Sequence, residues 1–341
     1  MYLHALQTAL PPQRYTQAEC WEILQRSPTL GRLKERSRGL LQKVLLGDNG
    51  IATRHFAVEA IEDVFTFSVD RLEKEFVRLA PALAGEALDG ALAAAGWSPG
   101  ELDALLICTC TGYLCPGLTS FVAEQRGLRA NAFLQDLVGL GCGAAIPTLR
   151  AAEALCARNP RARVATIAVE ICSAAFYLDD DPGVLISACL FADGAAAALW
   201  SGEPQEWRAG DFQTLHRPAD RELLRFVRQD GYLKNQLHRA VPERAGEAVA
   251  TLWEESGASG AKVLAHPGGR DVLQAIRERF PEWALEESAK VLRNCGNMSS
   301  PSVLFALQEH LQGAESREEK RLWLTSFGAG FSAHAMILER G

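Results

Sequence analysis

Cys142 stands in NAFLQDLVGLGCGAAIPTLRAAEALCA, residues 131–157. The stretch reads as an apolar strand running to Val138, a turn holding Gly139, Gly141 and Gly143, and a helix opening near Ala144. A sulfur at the mouth of a helix meets unpaired backbone N–H groups and the positive end of the helix dipole, and both favour thiolate over thiol. The glycines permit the tight backbone that would present such a sulfur to a ligand. The same residues also fit a buried cysteine beside a packing turn, because free cysteine is among the most buried residue types. Further along, HPGG (266–269) follows a short apolar run, and CGNMSS (295–300) opens a helix. The imidazole of His266 could stabilise a thiolate by ion pairing or by sharing its proton. The carboxamide of Asn297 donates without titrating, and one donor aimed at a developing oxyanion typically lowers a barrier by about 2.7–4 kcal/mol. Each motif alone also fits a structural role.

The elements that must bring these residues together repeat along the chain. In the first part, 102–110 is a continuous apolar run, as expected of a strand covered on both faces. The Cys142 turn and helix follow, then a buried strand at 163–171 and CLFADGAAAALW (189–200), which suggests a strand or hairpin. In the second part, 261–266 is a strand, 271–280 is helical, the turn at 295–300 opens a helix over 301–311, and 322–338 is a second Gly-interrupted apolar segment. Cys110 and Cys142 are 32 residues apart, and His266 and Asn297 are 31 apart. Phe191 in LFADG has a counterpart in Phe327 of SFGAG. An internal duplication of α/β units, with a seam in the turn-rich 201–210, predicts a layered fold of two halves, 1–205 and 206–341. It would bring two helix mouths to one centre. Ahead of the first strand, 16–24 reads as a helix, and 63–95 is a long helical region that Pro81 divides or reopens.

Composition narrows the function classes. At 341 residues with 48% hydrophobic and 23% charged side chains, the chain reads as globular and large enough for a duplicated core. A net charge of −7 argues against a nucleic-acid or anionic-membrane surface. The basic residues Arg32, Lys34, Arg36, Arg38 and Lys43, with Arg54 further on, read either as a solvated face or as a phosphate-facing one. Residues 1–12 lack a basic start and a long apolar core, so no secretory signal is expected, and the longest apolar run, 194–200, is too short to span a bilayer. Nine cysteines without disulfide-framework spacing fit a reducing cytoplasm. Cys108, Cys110 and Cys115 could suggest a metal site, but no His completes a tetrahedral set nearby.

Taken as a set, GLGCGA (139–144), LFADGAAA (190–197), AHPGG (265–269), CGNMSSPSVLFAL (295–307) and SFGAGF (326–331) resemble the type III polyketide synthases, the chalcone/stilbene synthase-like branch of the thiolase superfamily. The resemblance runs over nearly the whole chain. It implies a homodimeric αβαβα enzyme with no metal and no bound organic cofactor, acting on acyl-CoA and malonyl-CoA. Cys142 would carry the acyl group, and His266 and Asn297 would stabilise the enolate oxygen left when malonyl-CoA loses CO2. Iterative decarboxylative Claisen condensation and cyclisation to a pyrone, resorcinol or related polyphenol would follow. Ketosynthases that accept acyl carrier protein share the Cys-His-Asn trio and form the alternative; a catalytically silent thiolase-fold partner is a second.

The resemblance also implies a gatekeeping role for Phe191, and pocket-lining roles for Cys110, Thr111, Cys172, Ala175 and Ser299. Cys115 matches a position that crosses the dimer interface to complete the partner's cavity, and Arg54 is the best match to a CoA-phosphate contact. The sequence departs from plant members in SFGAG, which lacks their proline, and in a shorter segment between Phe191 and His266. There the second gatekeeping aromatic cannot be placed, and Tyr232 in DGYLKNQLHR (230–239) is the candidate.

Overall fold

The computed structural model describes residues 1–59, 61–313, 316 and 318–341. The N-terminal half runs β1 (Tyr2–Ala9), β2 (Arg14–Thr16), α1 (Gln17–Arg26), α2 (Pro28–Arg32), α3 (Glu35–Leu46), β3 (Thr53–His55), α4 (Val69–Ala95), β4 (Ala104–Cys108), α5 (Leu118–Arg126), β5 (Phe133–Leu137), α6 (Ala145–Arg158), β6 (Val164–Glu170), α7 (Pro182–Leu190) and β7 (Gly194–Ser201). The C-terminal half runs β8 (Trp207–His216), β9 (Leu224–Gln229), β10 (Tyr232–Leu237), α8 (Val241–Ser256), β11 (Lys262–Ala265), α9 (Arg270–Arg279), α10 (Glu286–Cys295), α11 (Ser302–Gln312), β12 (Arg321–Gly328) and β13 (Ser332–Arg340).

Duplication is visible in strand order and direction. The N-terminal half is ordered β5-β4-β6-β7-β1, and the C-terminal half β11-β12-β13-β8. In both, a parallel pair leads into an antiparallel hairpin-like return: β4 with β6 and then β7, β11 with β12 and then β13. A two-residue contact between β1 and β8 joins the halves into one nine-stranded sheet among the described residues. Alternation along the strands sorts side chains between layers, because successive residues face opposite sides of a sheet. On β7, Ala196, Ala198 and Trp200 face inward to α6 and α11, while Ala195, Ala197 and Leu199 face outward to α4. On β12, Leu322 and Leu324 join the same inner layer, and Trp323 faces outward to α8 and α9. Helices α6 and α11 are therefore sandwiched between the halves, the central layer of an αβαβα arrangement. The alternation holds because parallel strands covered on both faces are apolar throughout.

Two expectations need correction. Pro81 lies within α4 and does not divide it; the helix is continuous over 27 residues, capped by the Ser68 side chain and ended by Gly96 at φ +67°. Burial of Leu83, Ala84, Ala87, Leu88 and Ala91 offsets the hydrogen bond that the proline ring forfeits. Residues 189–200 are the end of α7 followed by strand β7, not a hairpin. The expected strand before Cys142 is present as β5, at the sheet edge, with Phe133 50% exposed.

Candidate active site

The Cys142 turn is a single tight helical turn, Gly141–Gly143, directly before α6. It packs against the end of β12 so closely that only glycine fits: a Cβ at Gly328 would lie 2.2 Å from the Leu140 carbonyl oxygen and 3.0 Å from the Cys142 nitrogen. Ser326 Oγ donates to the Gly143 carbonyl (3.2 Å), fixing the same contact. Between Ser326 and Gly328, the ring of Phe327 meets the His266 imidazole edge-on, centroids 5.3 Å apart. His266 ends β11, where its N–H donates to the Thr325 carbonyl (2.8 Å), and the chain turns immediately, with Gly268 N–H donating back to the His266 carbonyl (2.9 Å). The Gly268 carbonyl in turn accepts from Asn297 Nδ2 (3.0 Å).

Asn297 is clamped at the junction of the halves. Its N–H donates to the Leu190 carbonyl (3.0 Å) and its carbonyl accepts from Ala192 N–H (2.9 Å), a one-residue parallel bridge around Phe191. Its Oδ1 accepts from Ser299 N–H (2.8 Å), which leaves Nδ2 turned toward the HPGG loop. Ser299 adopts φ +61°, an uncommon conformation for a residue with a side chain. That geometry sends its hydroxyl to Cys142 Sγ (3.2 Å). A chain of contacts thus runs from Cys142 through Ser299, Asn297 and Gly268 to His266 and the ring of Phe327.

Burial dominates the electrostatics. Desolvation pushes the Cys142 thiol up to about 12, with the Ser299 hydroxyl pulling it down and the Glu170 carboxylate adding to the rise. Desolvation pushes His266 down to about 3. Of the two readings left open for this cysteine, a thiolate at a helix mouth and a buried thiol, burial favours the thiol. Both His266 ring nitrogens lack hydrogen-bond partners among the described residues. A buried, unpartnered imidazole has both ring nitrogens available to a bound group.

Cys142 opens onto a largely apolar cavity lined also by Cys110, Thr111, Cys172, Ala175, Phe191 and Ser299. Those expected pocket residues are therefore brought together. His266 and Asn297, 1% and 3% exposed, lie one layer deeper. Arg54 is not phosphate-facing: it is buried, its guanidinium donating to the carbonyls of Ala188 (2.7 Å) and Phe191 (2.9 Å) and to Gln17 Oε1 (2.9 Å). It stiffens the segment carrying Phe191. Tyr232 does not face the Cys142 cavity; its hydroxyl donates to the Phe67 carbonyl (3.0 Å) and it lines a neighbouring depression. On the β9–β10 hairpin, the residues that do reach the cavity include Phe226 and Asn235. Cys115 is exposed and is not part of the cavity wall of its own chain. Arg32, Lys34, Arg36, Arg38 and Lys43 are solvent-exposed.

Sequence reasoning missed Glu170. This carboxylate, fully buried at the end of β6, accepts from Cys110 N–H (2.9 Å), Thr111 N–H (3.1 Å) and the hydroxyls of Thr109, Thr111 and Ser300 (3.1, 2.9 and 2.5 Å). It holds the strand end bearing Cys110 against the loop bearing Ser299. The signal was available in RVATIAVEI: an acid closing a doubly covered strand must find donors.

A family model described as FAE1/type III polyketide synthase-like protein matches residues 4–247, and one for the 3-oxoacyl-[acyl-carrier-protein] synthase III C terminus matches 261–340. A 1,3,6,8-tetrahydroxynaphthalene synthase of Streptomyces peucetius subsp. caesius is 29% identical, covering 98% of this chain and 92% of its own length. A 3,5-dihydroxyphenylacetyl-CoA synthase of Streptomyces toyocaensis is 27% identical over 79% of this chain and 74% of its own. Among solved structures, PKS-I from the brown alga Ectocarpus siliculosus superposes with a TM-score of 0.89 at 22% identity, covering 100% of this chain and 98% of that one. CsyB complexed with CoA-SH gives 0.86 at 20% identity, with both chains fully covered.

Proposed function

The chain belongs to the FAE1/type III polyketide synthase-like family and is an acyltransferase-type enzyme of polyketide synthesis, and from that premise we propose that Cys142, His266 and Asn297 carry out iterative decarboxylative condensation of malonyl-CoA onto an acyl-CoA starter. The observation that carries this reading is the chain of hydrogen bonds from a cavity-facing sulfur through Ser299 to a buried carboxamide and on to the loop that holds a buried imidazole.

In the first step Cys142 Sγ attacks the starter carbonyl carbon as His266 takes the thiol proton. The C–S bond to CoA then breaks, and the CoA sulfur leaves with that proton. His266 returns to its neutral form, which burial favours. When malonyl-CoA follows, its C–CO2 bond breaks and the electron pair passes to the thioester oxygen as an enolate. His266 N–H and the second Asn297 N–H donate to that oxygen, a contact strongest when the charge is greatest. The enolate carbon attacks the Cys142 thioester, forming the new C–C bond and releasing the sulfur. The apolar wall at Phe191 disfavours the malonyl carboxylate and so favours its loss. No cofactor beyond the CoA thioesters enters these steps. Cyclisation of the released chain gives a pyrone, resorcinol or related polyphenol.

We read the seam between β7 and β8, at 205/206, as the boundary of the halves. A homodimer formed across β5 is supported by the exposed apolar residues Tyr113, Phe133 and Val138, and it would bring the partner's copy of the Cys115 loop to the cavity. No helix among the described residues is long and apolar enough to cross a membrane, and free thiols at all nine cysteines suit a cytoplasmic enzyme. Purified protein given an acyl-CoA and labelled malonyl-CoA, with and without acyl carrier protein, tests the reading. Labelled aromatic or pyrone product from CoA thioesters alone is expected. Strict dependence on the carrier protein would favour the ketosynthase alternative.

A further inference from the structure

The wall of the Cys142 cavity carries a polar pair that the condensation chemistry above leaves unused. Asn235 of β10 and Ser187 of α7 both line it, among Val184, Ala188, Phe191, Leu224, Phe226 and Leu233. Ser187 Oγ has a single proton, and that proton goes to the Gly183 carbonyl one turn back (2.7 Å). Its oxygen must therefore accept from Asn235 Nδ2 (3.0 Å), which sets the orientation of the amide. Asn235 is 8% exposed, and its Oδ1 and second N–H make no hydrogen bond among the described residues. Neither is among the fully buried polar atoms without a partner, so both remain reachable from the cavity that Asn235 lines. The arrangement makes sense where a ligand supplies the missing partners.

We infer that Asn235, oriented by Ser187, is a specificity-determining residue that binds an oxygen of the growing poly-β-keto chain. The inference rests on the proposed condensation at Cys142. A poly-β-keto chain carries an oxygen on alternate carbons, and each can stand as a ketone or an enol. A carboxamide can serve both: its N–H donates to a ketone oxygen, and its Oδ1 accepts from an enol O–H. A reduced acyl chain offers neither partner and leaves the amide unpaired, a difference that discriminates more sharply than apolar fit. Arg225 also borders the cavity, but both Glu222 oxygens engage its Nη1 (2.6 and 2.7 Å), so the carboxamide is the better-placed ligand for a neutral oxygen.

The test compares wild type with Asn235→Leu, Asn235→Asp and Ser187→Ala, using hexanoyl-CoA and malonyl-CoA, and reads by mass spectrometry the ratio of the longest products to short derailed pyrones. Asn235→Leu should lower that ratio about tenfold, the loss of roughly one hydrogen bond to the chain. Asn235→Asp, which cannot donate, should lower it as well. Ser187→Ala frees the amide to rotate and should lower it by a smaller factor, and it decides the matter if the Asn235 variants do not fold. Ratios within twofold of wild type in every folded variant would overturn the inference while leaving the condensation intact. A wild type that makes no condensation product at all would overturn both.

Discussion

At Cys142 and His266, burial moves two titrating groups in opposite directions, the thiol up to about 12 and the imidazole down to about 3. Burial thus favours a thiol and a neutral imidazole, and under the proposed mechanism His266 serves two steps, as a base toward the thiol and, once neutral again, as a donor toward the enolate. The consequence is measurable without substrate. Alkylation of Cys142 by iodoacetamide at pH 7 should be about a hundredfold slower in His266→Gln than in wild type, the loss expected of a general base. Equal rates would detach the imidazole from the thiol. Residue type and spacing picked out these two positions, and Asn297, as candidates. They could not reveal that Ser299 links the sulfur to Asn297, because its reach to the sulfur depends on φ +61°, a backbone angle that no side-chain pattern encodes. Arg54 shows the converse: a cation near the right place in the chain is spent on the carbonyls of Ala188 and Phe191.

Elements place these residues through their ends. Cys142, His266 and Asn297 all sit where a strand or helix stops, and each stop is held by a hydrogen bond to the other half or to the end of β12. Glu170 does the same for the end of β4, collecting two N–H groups and several hydroxyls on one carboxylate. Glu170→Gln puts an NH2 group against those donors and should destabilise the protein by about 1–3 kcal/mol, read from urea unfolding, while slowing condensation. Wild-type stability in that variant would show that the carboxylate is not what ties β4 to the Ser299 loop. Periodicity exposed the apolar strands β4, β6, β7 and β12 because both faces of each are covered. It missed the end of α7, which runs through Leu190 with only three residues between it and β7 and is apolar like the strand. Pro81 was misread because packing of α4 on the sheet outweighs one missing backbone bond.

Across the whole molecule, the buried groups give stability a defined pH dependence. His266 in the folded state titrates near 3 and an unfolded histidine near 6.5, so between those values the unfolded chain binds the extra proton and stability falls as pH falls. His334, lowered to about 4, acts in the same direction. Asp193 acts oppositely: burial raises it to about 6, so the folded state binds the extra proton between the usual carboxylate value and 6, and acidification there relieves a cost. Replacing one group isolates its share. Between pH 7 and pH 5 wild type should lose about 2 kcal/mol more unfolding free energy than His266→Gln. A difference near zero would mean that the imidazole is solvated rather than enclosed. The fold as a whole was legible because duplication repeats itself in spacing, and so was part of the cavity wall; its far side was not, because hairpin β9–β10 reaches it with Phe226 and Asn235 rather than with the expected Tyr232. The most direct test of the account is peptide mass mapping after brief mixing with an acyl-CoA starter, followed by a chase with malonyl-CoA. The account predicts the acyl mass on the peptide bearing Cys142, and its discharge into product with one CO2 released per extension. An acyl group on any other residue, or one that malonyl-CoA leaves in place, would contradict it.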